Sequence, residues 1–343
     1  MSNTPSTTLI SSARASTGLP PSVPGPAPRS AWPWVVLVIA LAVAMTFVIK
    51  GYQLFQATMV LSYAVALLGL NILTGYNGQI SLGHGAFFAL GAYAAAILME
   101  HAGFAYWASV PMAGVFCLVV GYLFGRPALK LEGLYLALAT FALGVAMPQL
   151  LKYKHLEQWT GGVQGIVLMK PEAPWGLALT PDQWLYLFSL LVTVVMFVIG
   201  HNLLSSGSGR AMRAIRDHAM AAEAMGVDNP HYKSMTFGIS AAFTGVGGAL
   251  SAIAVQFVSP DSFTLFLSIS LLVGVVVGGL GTVWGAIFGA LFIMFVPNFA
   301  ESLSKAAPWA VYGVVLIAIM YAMPGGVVGL LRSTAERIKR RAA

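Results

Sequence analysis

Charge is what this chain has least of. Asp, Glu, Lys and Arg make up 8% of its 343 residues, against 58% hydrophobic side chains, and the mean hydropathy is +0.81. Soluble domains carry about 25% charged residues, so an ordinary soluble α-helical protein is excluded. The one cysteine, Cys117, rules out a disulfide framework and a cysteine-based zinc site. No G-x-x-x-x-G-K-[ST] phosphate loop occurs, so the chain does not hydrolyse ATP by that route. H-E-x-x-H and G-x-S-x-G are missing as well, which removes the commonest metal-hydrolase and serine-hydrolase signatures. Any driven work draws its energy from a partner.

What is present is a series of long uncharged runs: 30–49, 51–99, 101–125, 133–151, 183–209, 234–260, 262–300 and 306–331. A hydrocarbon core of about 30 Å takes roughly 20 apolar residues as helix. Each run holds one span, and 51–99 and 262–300 hold two. The reading is an all-α polytopic membrane protein of about ten transmembrane helices, its permease domain covering 31–324. The expected spans are 32–49, 53–73, 86–100, 105–124, 132–151, 184–204, 234–258, 264–280, 284–299 and 308–323. No charged side chain lies at the centre of any of them; Glu100, Glu132 and Glu301 fall near span ends. Proton-driven transporters place an ionisable group inside the bilayer, so proton coupling is disfavoured. Sodium coupling through carbonyls at broken helices stays open.

Residues 1–30 are rich in Ser, Thr and Pro, contain no acid, and carry only Arg14 and Arg29. They are expected to be a disordered cytoplasmic tail, although a transit peptide shares this composition. The apolar run that follows is too long, and lacks the cleavage site, for a secretory signal. Ten spans put both termini and the 205–233 loop on one side. That side holds Arg14, Arg29, Arg126, Lys130, Arg210, Arg213, Arg216, Lys233, Arg332, Arg337, Lys339, Arg340 and Arg341; the other holds Lys50, Lys152, Lys154, Lys170 and Lys305. The excess makes the first side cytoplasmic. The cations sort by topology rather than into one patch, which argues against nucleic acid. Residues 325–343 are expected to be a basic cytoplasmic tail, read first as a generic positive-inside anchor and otherwise as a short basic helix at the anionic inner leaflet.

Three stretches break the apolar pattern. In "GLNILTGYNGQISLGHGAFFALGAYAAAI", residues 69–97, Gly75, Gly78, Gly83 and Gly85 cluster, each costing about 1 kcal/mol in a helix interior. Asn71, Asn77, Gln79, Ser81 and His84 bring hydrogen-bonding groups that lipid would not satisfy. Such a break is tolerated when buried in protein or lining a wet cavity. Two readings stand: a tight turn whose side chains satisfy local backbone, and a lining for polar or zwitterionic solutes. The loop 152–183 is long, with "TGGVQGI" at 160–166; loops of this length are commonly functional, and Thr160, Gly161 and Gly162 are candidates to meet a delivered solute. The segment "SGRAMRAIRDHAMAAEAMGVDNPHYK", 208–233, sets charges between two uncharged runs. Its Ala-rich part predicts a helix that Gly226 ends in a left-handed cap, with Asn229-Pro230 turning the chain back. Met212, Ile215, Ala219 and Ala222 share one helical face, suited to a groove on a soluble partner. Farther on, Gly274, Gly278, Gly281, Gly285 and Gly289 follow small-residue spacing that lets helices approach closely.

Four motifs in this order carry a family resemblance: "GYNGQISLGHGAFFALGAY", "LEGLYLALATFALG" followed by "WTGGVQGI", "GRAMRAIRDHAMAAEAMG", and "VVGGLGTVWGAIFGA". Over residues 51–331 the chain resembles the inner-membrane permeases of the branched-chain amino acid ABC importers, the LivM family. The resemblance implies the ABC importer permease fold and a non-enzymatic transport subunit in a bacterial inner membrane. It implies a second, LivH-like permease, two cytoplasmic ATPases that hold the Mg-ATP, and an extracytoplasmic solute-binding protein; the chain itself needs no cofactor and no metal. Residues 208–233 are similar to the coupling loop that docks on the ATPase, assigning Arg213, Arg216, Asp217, Ala221, Ala222, Glu223 and Gly226 to coupling. The usual E-A-A-x-x-x-G pattern departs here, with Met220 at the glutamate position. Rival readings are a same-family importer of urea, short amides or aromatic acids, and a self-sufficient secondary transporter.

The topology is checked by cysteine labelling of intact cells in a Cys117→Ser background. Cysteines at Arg213 and Arg340 should be shielded from an impermeant reagent and one at Lys170 should react; the reverse pattern would sink the ten-span arrangement.

Overall fold

The computed structural model describes residues 32–49, 51–128, 131, 133–174, 179–303, 308–323, 325–331 and 333–334. The N-terminal segment 1–30, Lys50, Lys130, Glu132, Lys305, Arg332 and the basic tail from residue 335 onward lie outside the described residues. The chain divides into two units, Met1–Leu41 and Ala42–Ala343. Of the first, the described part is helical, with Leu37, Val38 and Leu41 exposed.

The helices are α1 (Trp32–Val48), α2 (Tyr52–Asn71), α3 (His84–Glu100), α4 (Tyr106–Ala128), α5 (Leu134–Leu151), α6 (Glu157–Thr160), α7 (Pro181–Ser205), α8 (Gly207–Ala224), α9 (Asn229–Val255), α10 (Leu265–Gly278), α11 (Gly285–Leu303) and α12 (Pro308–Ala322). Among the described residues, eight helical stretches are long and apolar enough to cross a membrane, and two shorter apolar helices, Leu37–Val48 and His84–Glu100, accompany them. These coincide with the ten expected spans. One small sheet was not foreseen: β1 (Ile166–Val167) pairs antiparallel with β2 (Phe257–Val258), in the register Ile166 with Val258.

Helix α9 is the axis of the second unit. Its hydrophobic stretch is 83% buried and that of α2 78%, against 22% for α7. Helices α2, α3 and α4 all pack on α9. Lipid tails are as apolar as leucine, so helices gain little from burying leucine against one another; close packing and interhelical hydrogen bonds must hold them. The α9 sequence "GISAAFTGVGGALSAIA" is built for that. A Cβ on Gly91 of α3 would lie 2.0 Å from Gly245 O, and one on Gly248 would lie 2.0 Å from Phe88 O. Backbone therefore touches backbone along the α3–α9 seam. Hydroxyls on α9 stitch the α2 seam: Ser240 Oγ donates to Gly69 O at 2.6 Å and Thr244 Oγ1 approaches Ala66 O at 3.4 Å. The same device closes the α10–α11 hairpin, where a Cβ on Gly278 would meet Gly285 O at 2.0 Å and one on Gly289 would meet Gly274 O at 2.2 Å.

The outer surfaces are apolar in the opposite sense. Val115 and Val119 of α4 and Leu191, Val195 and Ile199 of α7 are exposed, the arrangement that a lipid-facing wall requires. Helix α7 begins at a capping box: Thr180 Oγ1 accepts from Gln183 N at 3.3 Å and Gln183 Oε1 accepts from Thr180 N at 3.0 Å, with Pro181 in the first helical turn.

Adding one methyl to the α3–α9 seam should be costly. Gly91→Ala should lower stability in detergent by about 1–3 kcal/mol, whereas Gly313→Ala, inside α12 where nothing lies within 4 Å, should hold the thermal midpoint or raise it slightly. Equal midpoints for the two variants would show that the seam has slack.

Candidate functional site

Polar groups gather where α2, α8, α9 and the α10–α11 turn meet. Helix α2 does not stop at Asn71; it widens into a π-turn over Ile72–Tyr76. Its glycine is required by crowding. A Cβ on Gly75 would sit 2.2 Å from Asn71 Oδ1 and 2.4 Å from Gly281 N. The Asn71 amide spans that gap, accepting from Gly281 N at 2.9 Å and donating to Thr282 O at 2.7 Å. The α10–α11 turn is thereby pinned to the end of α2. Gly78, at φ +74°, then swings the chain into the 78–83 loop. There Thr74 Oγ1 donates to Gln79 O at 3.1 Å, and Gln79 Nε2 donates to Lys233 O of α9 at 3.2 Å.

His84 opens α3 and is fully buried. Its Nδ1 lies 2.8 Å from Ser81 Oγ and its Nε2 lies 2.7 Å from Ser240 Oγ. Ser240 spends its proton on Gly69 O, so the network assigns the ring proton to Nε2 and leaves Nδ1 to accept from Ser81. The imidazole thus joins α3, α9 and α2 in one chain of hydrogen bonds, walled by Phe87 and Phe237. Asn77 behaves differently. It is buried, and neither its amide oxygen nor its amide nitrogen has a protein partner. A buried amide without partners is costly, which singles it out in a network where its neighbours are paired.

Helix α8 lies across this end of the bundle and is two pieces rather than one. His218 has φ −160° and ψ 94°, which breaks the helix, and its Nδ1 accepts from Ala221 N at 3.2 Å, acting as N-cap of the short second piece. That piece ends in a Schellman motif: Gly226 is at φ +86°, Gly226 N donates to Glu223 O and Val227 N donates to Ala222 O. Asp228 then caps α9 by accepting from His231 N at 3.0 Å. The turn back therefore lies at 226–228, and Asn229-Pro230 is already helix.

The apolar stripe points the other way from the sequence expectation. Met212, Ile215 and Ala222 are buried against this chain itself, because the connection after α7 is so short that α8 must lie on its own bundle. A Cβ on Gly209 would meet Leu204 O at 2.2 Å. Those three side chains are not free to fill a partner's groove. Exposed instead are Met220 (78%) and Met225 (86%), together with Ala221 and Glu223. Arg213 reaches back toward Leu204 O at 3.4 Å, and Asp217 Oδ1 accepts from both Nε and Nη2 of Arg216 at 2.9 and 2.8 Å.

Residues 52–324 match the family described as branched-chain amino acid transport system / permease component. The chain belongs to this family. It is 35% identical over 272 residues to the high-affinity branched-chain amino acid transport system permease protein LivM of Escherichia coli (strain K12), and equally to the protein of that name from Salmonella typhimurium. Each comparison covers 73% of this chain and 64% of the relative's length. No solved structure matches it. It is a multi-pass membrane protein of this family, and the π-turn, the α10–α11 turn and α8 all fall inside the matched region.

Thr160, Gly161 and Gly162 lie elsewhere, beside the C-terminal end of α9, which by helix length is about 20–35 Å from Ser240 and Lys233. Thr160 Oγ1 donates to Leu151 O at the end of α5 at 2.8 Å and to Leu156 O at 3.0 Å. Gly161 is left-handed at φ +69°, and a Cβ there would meet Gly165 O at 2.1 Å. The loop is tied to the bundle by the β1–β2 pairing and by His101 Nε2, 3.1 Å from Trp159 O. Two ion pairs hold the same end, Lys152 with Asp261 at 2.5 Å and Lys170 with Asp182. The candidate residues therefore form two groups, one at each end of the bundle. Ser240, Gly281, Thr282 and Lys233, which hold the first group, were missed by sequence reasoning, since each lies more than 150 residues from its partner.

His84→Leu should strand the Ser81 and Ser240 hydroxyls and cost about 1–3 kcal/mol, read as a lowered unfolding midpoint in detergent. Gln79→Leu breaks one half-buried bond and should cost under about 1 kcal/mol. A His84 variant as stable as the parent would show that the chain of hydrogen bonds contributes nothing.

Proposed function

We propose that this chain is a permease subunit of an ATP-driven ABC importer that moves branched-chain amino acids into the cytoplasm. The observation that carries the reading is α8: a charged, exposed helix laid across one end of a bundle whose spans hold no charge at their centres. A permease without a nucleotide site needs a surface to receive work, and membership of the permease family supports reading α8 as that surface. In this reading the α8 end and both termini face the cytoplasm of a bacterial cell, and the chain sits in the inner membrane. A LivH-like second permease completes the pore, two ATPases carry the Mg-ATP, and a binding protein delivers solute to the opposite face.

The division of labour follows from exposure. The capped piece of α8 offers Met220, Ala221, Glu223 and Met225 to an ATPase. Methionine is flexible and polarizable and suits a groove that must hold while it moves. Gly226 shapes the end of this piece, while Ala222 anchors it to the bundle from the inner side. Thr160, Gly161 and Gly162 stand where a delivered solute first arrives. Asn71, Asn77, Gln79, Ser81 and His84 stand near the exit. Among them Asn77 keeps both donor and acceptor unspent, the pair of groups that a zwitterion's carboxylate and ammonium would use.

Co-expression of the tagged permease with its ATPases tests the reading. Met220→Asp combined with Met225→Asp should weaken ATPase retention by about tenfold or more, since desolvated anchors dominate such interfaces, while the permease still reaches the membrane. Arg213→Ala should change retention by less than about fivefold, the scale of a surface ion pair. Uptake of labelled leucine into proteoliposomes should need ATP and the binding protein. Leucine uptake without ATP would favour the secondary-transporter reading, and uptake of urea in place of leucine would move the substrate class.

A further inference from the structure

Arg216 does not simply decorate the exposed side of α8. Its Nη1 donates to Gly75 O at 2.8 Å, inside the π-turn of α2. A Cβ on Gly78 would press on Arg216 Cγ at 2.9 Å, and one on Gly281 would come within 3.5 Å of Nη1. The guanidinium thus sits in a seat formed by three glycines from two separate segments, the α2 break and the α10–α11 turn. Asp217 fixes the other edge of the same fork through Nε and Nη2.

The chemistry of the seat is specific. The last carbonyls of a helix have no partner within it and carry the negative end of its dipole, so a guanidinium is the favoured cap. A π-turn is one residue out of α-register and is commonly found at functional positions. A register shift there moves the end of α2 without unwinding the buried helix before it. Asn71, one residue before the π-turn, already clamps the α10–α11 turn. A displacement of α8 would therefore be felt at both the α2 break and the α10–α11 turn through one side chain.

We propose that Arg216 is the positioning residue through which movement of α8 is passed to the π-turn of α2 and to the α10–α11 turn. This rests on the importer reading and deepens it: Met220 and Met225 hold the ATPase, and Arg216 carries the motion inward. Asp217 orients the fork, so it belongs to the same joint.

The test uses the complete importer in proteoliposomes, with its ATPases and binding protein, and labelled leucine as the probe. Arg216→Ala should keep its ATPase subunits through purification, while leucine taken up per ATP hydrolysed falls by about tenfold, within the usual range of coupling between sites. Arg216→Lys, which keeps one cationic donor for Gly75 O, should recover part of that ratio. If Arg216→Ala does not accumulate in the membrane, the lysine variant decides by the same ratio, expected to lie between parent and background. A parental uptake-to-ATP ratio in the variant that accumulates would overturn the joint while leaving the importer reading intact. Loss of the ATPase subunits would also overturn it, by making Arg216 a docking residue. Should the parental complex take up leucine without ATP, the importer reading falls and the joint falls with it.

Discussion

Everything else in this fold depends on backbone-to-backbone contact along α9. In a bilayer no water drives apolar helices together, so the energy of association must come from close approach. Gly245 and Gly248 bring α9 against Gly91 and Phe88 of α3 with no room for a methyl group. Ser240 and Thr244, on the same helix, turn to α2 and bond its carbonyls. With that axis set, α2, α3 and α4 can be large and greasy on their outer sides without losing register inside.

The same scarcity of water governs the polar groups. His84, Ser81 and Ser240 are buried but satisfy one another, and Asn71 satisfies the backbone of a turn more than 200 residues away. Their first role is therefore to close a break that lipid would not tolerate. A role toward solute is compatible with that, because a wet path needs rigid walls. Asn77 is the member with unspent capacity, and it stands beside the joint that Arg216 makes with the π-turn. In the proposed importer, solute contact at Asn77 and the Arg216 joint would share one region at one end of the bundle. The loop at the other end, tied by β1–β2 and two ion pairs, supplies a separate rigid platform.

The break in α8 changes how this surface is understood. One continuous helix would offer a single face to a partner. Two pieces joined at His218 separate anchoring from presentation. Met212 and Ile215 hold the first piece to the bundle, and the capped second piece projects Met220 and Met225. Ala222 of that second piece packs inward, which sets its orientation.

Composition and periodicity by themselves determined the ten apolar helices and the all-α class, and the four ordered motifs determined the family. Each of those depends on local chemistry: a run without charge, a glycine cluster, an Ala-rich segment closed by Gly226. The uncharged run sets the start of α7 at 184, whereas the helix begins at Pro181, behind a capping box between Thr180 and Gln183. Tertiary structure alone decided which face of α8 is free, because the apolar stripe of Met212, Ile215 and Ala222 suits the chain's own bundle as well as it suits a partner. It alone paired β1 with β2, two strands of two residues each, too short to show an alternation. And it alone joined Arg216 to Gly75 and Asn71 to Thr282, across 141 and 211 residues. A sequence shows which groups must find partners. Which partners they find is set by how closely the helices that carry them can pack.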